Sequence, residues 1–277
     1  MGLATTSLMI FGSIDILMLG KFVDASFLAY YKLALTLSLS VGAIISGRAI
    51  LLPIFTQIGK KRLQRAFEKS IRYLLLISIP STVGLILISK TFLTVFYPSD
   101  TNYILTMIPL YALAPLIITA SLISIYKPLF QAREKPKALA LSSLLSILIN
   151  IILNYFLIIY FLKFGQVYAL LGAAIATLIS RTFLLLILAI SAKKNFEISF
   201  LKRKDIFLKP LFASLVMALA VYWITFVPLS NILIFVAQII VGMVVYILVI
   251  YSIGGLTSED LKLIKFIPHP ELLKNKN

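Results

Sequence analysis

The chain has 277 residues, of which 61% are hydrophobic and 13% charged, so it carries more apolar surface than a soluble core of that length can bury and lipid must solvate much of it. Its 26 Lys and Arg against 10 Asp and Glu give a formal charge of +16, and it has no cysteine, which excludes disulfides and thiolate metal sites. The single histidine, His269, sits between two prolines in a polar tail. With no Ser/His/Asp set, no paired carboxylates in an apolar segment and no phosphate-binding glycine loop, neither catalytic chemistry nor a cofactor is expected.

A helix needs about 20 apolar residues to cross ~30 Å of hydrocarbon. Segments of that kind predict helices over 4–20, 27–50, 72–96, 104–131, 138–162, 168–192, 207–227 and 230–253. The expected fold class is all-α: a polytopic membrane bundle of about eight spans. Strands of a membrane barrel would show apolar and polar residues in alternation, and the stretch from Ile147 to Phe161 shows none.

The first segment has no basic n-region and contains Asp15, so it reads as a span and not as a cleavable signal. Asp15 lies shortly before the end of that span and Lys32 shortly after the start of the next. Adjacent antiparallel helices would hold the two at similar depth, as an ion pair or with Asp15 binding a coupling cation or proton. Arg48 and Lys127 fall near the ends of their spans, where they either snorkel to the interface or line a cavity. Prolines 80, 109, 115 and 210 fall within or near spans, where each frees a backbone carbonyl and bends its helix.

Asn150 and Asn154 are four apart in the fifth span, hence on one face near mid-membrane, where they cross-link helices or line a polar passage. In the sixth span Gly172, Ala176 and Ser180 make a small-residue face, and Ala173, Thr177 and Arg181 form the stripe beside it. Arg181 lies roughly 20 Å from the start of its span, too deep for easy snorkelling, and must face protein or water. In the tail, Thr257 and Asp260 suit the cap of a short interfacial helix.

Sorting the charges along this topology assigns most of the basicity to orientation. One set of alternate loops, with the tail, holds nineteen Lys and Arg, including Lys60, Arg72, Arg133, Lys193 and Lys209, whereas the other set holds Lys21, Lys90 and Lys163 alone. The positive-inside rule then places both termini in the cytoplasm. The basic loops would meet anionic lipid head groups, and no basic domain stands apart from the membrane to bind nucleic acid.

The run from Ser13 through Asp15 to Gly20, Tyr30 with Tyr31, and Leu51-Leu52-Pro53 resemble the start of the second half of Wzx-type polysaccharide flippases. So, in the same order, do Gln131-Ala132 with Lys135-Pro136, Asn154 to Ile158, Gly172 to Thr177, and Gly254 to Asp260. These flippases share a superfamily with multidrug and toxin extrusion (MATE) transporters and MurJ lipid II flippases. The resemblance implies two six-helix halves followed by two extra helices, of which this chain corresponds to the second half and the extra pair. The division expected is a six-helix bundle over 1–192, a cytoplasmic basic linker over 193–209, two further spans over 210–253 and a cytoplasmic tail over 254–277.

The substrate that the resemblance implies is a lipid-linked oligosaccharide, specifically a polyprenyl-pyrophosphate-linked sugar, flipped across the cell membrane for cell-surface polysaccharide synthesis. Its cavity would lie between the halves, so the expected partners are membrane lipids and a separately encoded first half or a second copy of the chain. Arg181, Arg48 and Lys127, with Asn150 and Asn154, are the expected cavity-lining residues, Arg181 foremost because a guanidinium suits pyrophosphate. Two alternatives stay open: a MATE-like drug or cation antiporter half coupled through Asp15, and a membrane scaffold subunit or truncated gene product that transports nothing.

Overall fold

The computed structural model describes residues 14–45, 48–98, 101–198 and 205–256, and helices make up nearly all of them. In chain order these are α1 (the helical segment 14–19), α2 (Ala25–Ile45), α3 (Arg48–Gln57), α4 (Lys60–Phe96), a 3-10 turn (Thr101–Thr106), α5 (Met107–Leu113), α6 (Leu116–Ala132), α7 (Pro136–Leu162), α8 (Gln166–Phe196), α9 (Asp205–Ile224) and α10 (Asn231–Ser252). Six of them are long and apolar enough to cross a membrane, and a bent pair makes a seventh span. The polytopic bundle follows, with α1 the described end of the first expected span.

Within the span predicted over 27–50 the described residues form α2 up to Ile45 and α3 from Arg48. Two other boundaries differ from the sequence expectation for identifiable reasons. The span predicted over 72–96 begins at Lys60, so that α4 runs for 37 residues, about 56 Å at 1.5 Å per residue. Lys, Arg, Gln and Glu are good helix formers, so the charged stretch before residue 72 continues the helix, aided by a Gln64 to Glu68 hydrogen bond one turn apart. The span predicted over 104–131 is broken, with Asn102–Leu113 and Leu116–Ala132 meeting at 47°. Pro115 sits at that break as the N-cap of α6, where its missing N–H interrupts the ladder.

Hydrogen bonds tie the two ends of the bundle. At the basic end Arg133 donates to Ile58 O (2.9 Å), Lys135 to Asn195 Oδ1 (2.7 Å), Arg72 to Gly255 O (2.8 Å) and Lys209 to Gly254 O (3.0 Å). At the other end Gln166 and Asp24 exchange two bonds, the Asp24 N–H donating to Gln166 Oε1 (2.8 Å) and Gln166 Nε2 to Asp24 Oδ2 (2.9 Å). There Gly165, at φ +124°, takes a backbone conformation closed to other residues and folds α8 back on α7.

The two larger apolar cores lie one toward each end. The first packs Phe67, Tyr126, Phe130 and Leu188 from α4, α6 and α8, and the second packs Leu19, Tyr31, Leu113, Ala169 and Ala173. On α8 the second core ends at Ala174 and the first resumes at Leu184. The residues between them carry the polar groups described next. The tail from residue 257 on, including Thr257, Asp260 and His269, lies outside the described residues.

Candidate functional site

Asp15 is 1% exposed, and a carboxylate in hydrocarbon is expensive unless donors meet it. Its oxygens accept from Tyr31 Oη of α2 (2.9 Å), Asn154 Nδ2 of α7 (2.7 Å) and Thr177 Oγ1 of α8 (2.5 Å). Asn150, one turn from Asn154, points its Nδ2 at Thr177 Oγ1 at 3.4 Å. Four helices therefore converge on one carboxylate.

The seam between α7 and α8 brings these groups together. A Cβ built on Gly172 would lie 2.6 Å from Leu157 O, a distance that real side chains do not tolerate, so only glycine lets the two backbones approach this closely. Farther along, Ser146 Oγ donates to Ser180 O across the seam at 2.7 Å. The positions Ser142, Ser146, Asn150 and Asn154 recur every four residues on α7 and all are buried, so one polar stripe faces α8.

The cluster also carries acceptors that nothing described donates to: Asn150 Oδ1 and Asn154 Oδ1 are buried without a hydrogen-bond partner. Arg181 is one turn beyond Thr177. Arg181 interacts electrostatically with both Asp15 and Tyr31. It is half-buried. Oxygen-rich, with one carboxylate and two idle amide oxygens, the cluster can take up a proton at Asp15 or hold a hard monovalent cation.

Of the residues singled out from sequence, the structure gathers Asp15, Asn150, Asn154 and Arg181. Lys32 does not join them. Tyr31 is fully buried, and consecutive helical residues point about 100° apart, so Lys32 is turned outward and exposed; hydroxyl and amide donors meet Asp15 where the ion pair was expected. Lys127 is buried in α6 near the basic end, at another depth from Asp15. Arg48 opens α3, and its side chain lies outside the described residues. Tyr31 and Thr177 were not picked out as partners of Asp15; the i, i+4 spacing of Thr177 with Arg181 and of Asn150 with Asn154 was the available signal.

Comparison with known proteins adds to this geometry. A family profile described as lipid II flippase MurJ matches residues 4–252. Among solved structures, a lipid II flippase MurJ in an inward closed conformation superposes with a TM-score of 0.71 at 24% identity, over 87% of this chain and 50% of that one. An outward-facing multidrug resistance MATE family transporter superposes with a TM-score of 0.52 at 17% identity, over 80% of this chain and 52% of that one. The chain thus spans about half the length of the solved structures it matches. No curated protein sequence matches it significantly. Since the profile spans most of the sequence, from ahead of α1 to the end of α10, the chain belongs to the MurJ lipid II flippase family.

Proposed function

We propose that the chain is one half of a cell-membrane flippase that passes a lipid-linked saccharide from one leaflet to the other, transporting and not catalysing. The observation that carries this reading is Asp15, a carboxylate buried in a membrane bundle of this family and bonded to three other helices. A group so placed can be charged in one conformation and neutralised in another, which is what coupling a conformational cycle to an ion requires.

Membership in the family supports a lipid-linked substrate. The ordered resemblance to polysaccharide flippases supports the finer assignment, a polyprenyl-pyrophosphate-linked oligosaccharide for cell-surface polysaccharide. Arg181, half-buried and deep in its helix, suits the pyrophosphate as a bidentate donor. A midplane cavity between repeats needs two lobes, so the working unit pairs this chain with a first half, encoded separately or supplied by a second copy.

The test uses membrane vesicles from cells producing the full chain in its native setting, scored for translocation of a fluorescent polyprenyl-pyrophosphate sugar. Asp15→Asn keeps the shape of the side chain and is expected to abolish translocation while leaving the inserted amount unchanged. Wild-type rates in Asp15→Asn would sink the reading. A second reading, a drug or cation antiporter half, draws on the MATE-like fold and the same carboxylate; uptake of organic cations with no sugar-lipid movement would favour it.

A further inference from the structure

Arg72 and Lys209 belong to different helices, α4 and α9, yet both reach the end of a third. There α10 closes in a Schellman turn: Gly254 takes φ +64°, the Gly255 N–H donates to Ile250 O (2.8 Å) and the Gly254 N–H to Tyr251 O (3.0 Å). The turn presents Gly254 O to Lys209 Nζ (3.0 Å) and Gly255 O to Arg72 Nη2 (2.8 Å). Two cations are thereby held on consecutive carbonyls at the basic end, around a cleft of about 170 Å³ that Asp205 and Pro210 also line. We propose that this cleft binds the phosphate of an anionic phospholipid, one of whose acyl chains lies in the apolar groove between α4 and α10.

Capping α10 does not exhaust the two side chains. An ammonium has three donors and a guanidinium five, so both can hold a carbonyl and still meet a phosphate oxygen. Two cations and the Asp205 carboxylate leave the lining at +1, which a phosphodiester of charge −1 neutralises and a pyrophosphate would overshoot. The cleft is far larger than the roughly 10–15 Å³ that admits a water. Arg72 and Lys209 are half-buried, so salt screens them less than it screens an open surface.

The neighbouring groove makes the phosphate a lipid's. Leu76 lines both the cleft and a groove of about 370 Å³, whose walls include Pro80, Gly84 and Ile88 of α4 and Gly242 and Tyr246 of α10. The four α4 residues recur every four positions and so share one face, and Gly84 keeps it open, since a Cβ there would meet nothing within 4 Å. From Leu76 to Ile88 is roughly 18 Å at 1.5 Å per residue, against about 15 Å for half of a ~30 Å hydrocarbon core. Cleft and groove together run one leaflet deep, which is the reach of a membrane phospholipid.

The experiment is native mass spectrometry of the purified full chain in detergent, titrated with an equimolar mixture of phosphatidylglycerol and phosphatidylcholine carrying the same acyl chains. Wild type is expected to retain phosphatidylglycerol about tenfold more than phosphatidylcholine. Arg72→Gln combined with Lys209→Gln should remove that preference, whereas Arg62→Gln with Arg65→Gln, at exposed positions of the same helix, should keep it. Gly84→Leu, which fills the groove and touches neither cation, should lower phosphatidylglycerol retention severalfold. Equal retention of the two lipids by wild type would overturn the proposal, as would a preference that survives the loss of both cations, one that disappears equally in the Arg62 and Arg65 control, or unchanged retention in Gly84→Leu. Displacement of the lipid by millimolar inorganic phosphate would overturn it in favour of a free anion. A preference that emerges only in Glu259→Gln with Asp260→Asn would overturn it in favour of the chain's own tail as occupant. Should the double cation variant fail to fold, Lys209→Gln alone and Gly84→Leu decide. No translocation is measured, so the outcome is independent of the transport reading.

Discussion

Pro80 stands inside α4 and has no N–H, so the carbonyl of Leu76, four residues earlier, loses its helical donor. In hydrocarbon no water replaces it. Tyr246 of α10 does, its hydroxyl donating to Leu76 O at 2.6 Å. The sequence defect in one helix is thus repaired by a side chain of another, and the repair fastens α10 to α4. Tyr246→Phe removes the donor and leaves an orphaned carbonyl, a loss of about 1 to 2 kcal/mol, between the mean for interhelical bonds in membranes and the penalty for an unmet buried acceptor. In a Pro80→Ala background the restored N–H of residue 80 serves Leu76 O, and the same Tyr246→Phe change should lose only a few tenths of a kcal/mol. The coupling between the two positions should therefore be about 1 kcal/mol, measured by unfolding all four variants with SDS in mixed micelles. Equal losses in the wild-type and Pro80→Ala backgrounds would refute the reasoning, because Tyr246 would then be acting through packing alone.

Gly172→Ala should destabilise the chain by about 1 to 3 kcal/mol through overpacking of the α7–α8 seam, whereas Gly84→Ala, whose Cβ would meet nothing within 4 Å, should stay within ~0.5 kcal/mol of wild type; thermal unfolding in detergent separates them. Lys32→Ala, at an exposed position, should leave stability within ~0.5 kcal/mol of wild type and leave translocation sensitive to Asp15→Asn, and a loss of translocation in Lys32→Ala would restore a functional link between the two charges.

The bundle was legible because spans are specified by length and hydropathy, which local sequence carries in full. α7 and α10 lie within two residues of their predicted ends. The extension of α4 to Lys60 was not legible, since a hydropathy boundary marks where lipid ends and not where hydrogen bonding ends. The break at Pro115 was signalled by the proline, but proline also sits inside α4, α6 and α9 without ending them; neighbouring groups decide, as Tyr246 does for Pro80. In the site, the i, i+4 spacing of Asn150 with Asn154 and of Thr177 with Arg181 indicates which residues share a face of α7 and of α8. The partner of Asp15 was not legible, because Tyr31 and Lys32 are adjacent and sequence alone gives no phase for α2. The intramembrane rarity of lysine drew attention to Lys32, although the inward position belongs to the neutral tyrosine.

The two sides of the Asp15 cluster are built differently, and this decides where motion can occur. The α7–α8 seam is closed by backbone contact at Gly172 and by Ser146 to Ser180 O, interactions that no change of charge disturbs. Asp15 meets that seam through side-chain bonds from Asn154 and Thr177 to its carboxylate, and its bond from Tyr31 holds α2 in the same way. All three have the carboxylate as acceptor, and hydrogen bonds to a charged acceptor are roughly twice as strong as neutral ones. Neutralising Asp15 therefore weakens the three hydrogen bonds that join α1 to α2 and to the seam while leaving the seam intact. A cycle driven here would move α1 and α2 against a fixed α7–α8 pair. The bonds at the far end, between Asp24 and Gln166, join the α1–α2 turn to the start of α8 and lie where a pivot for that movement would have to be.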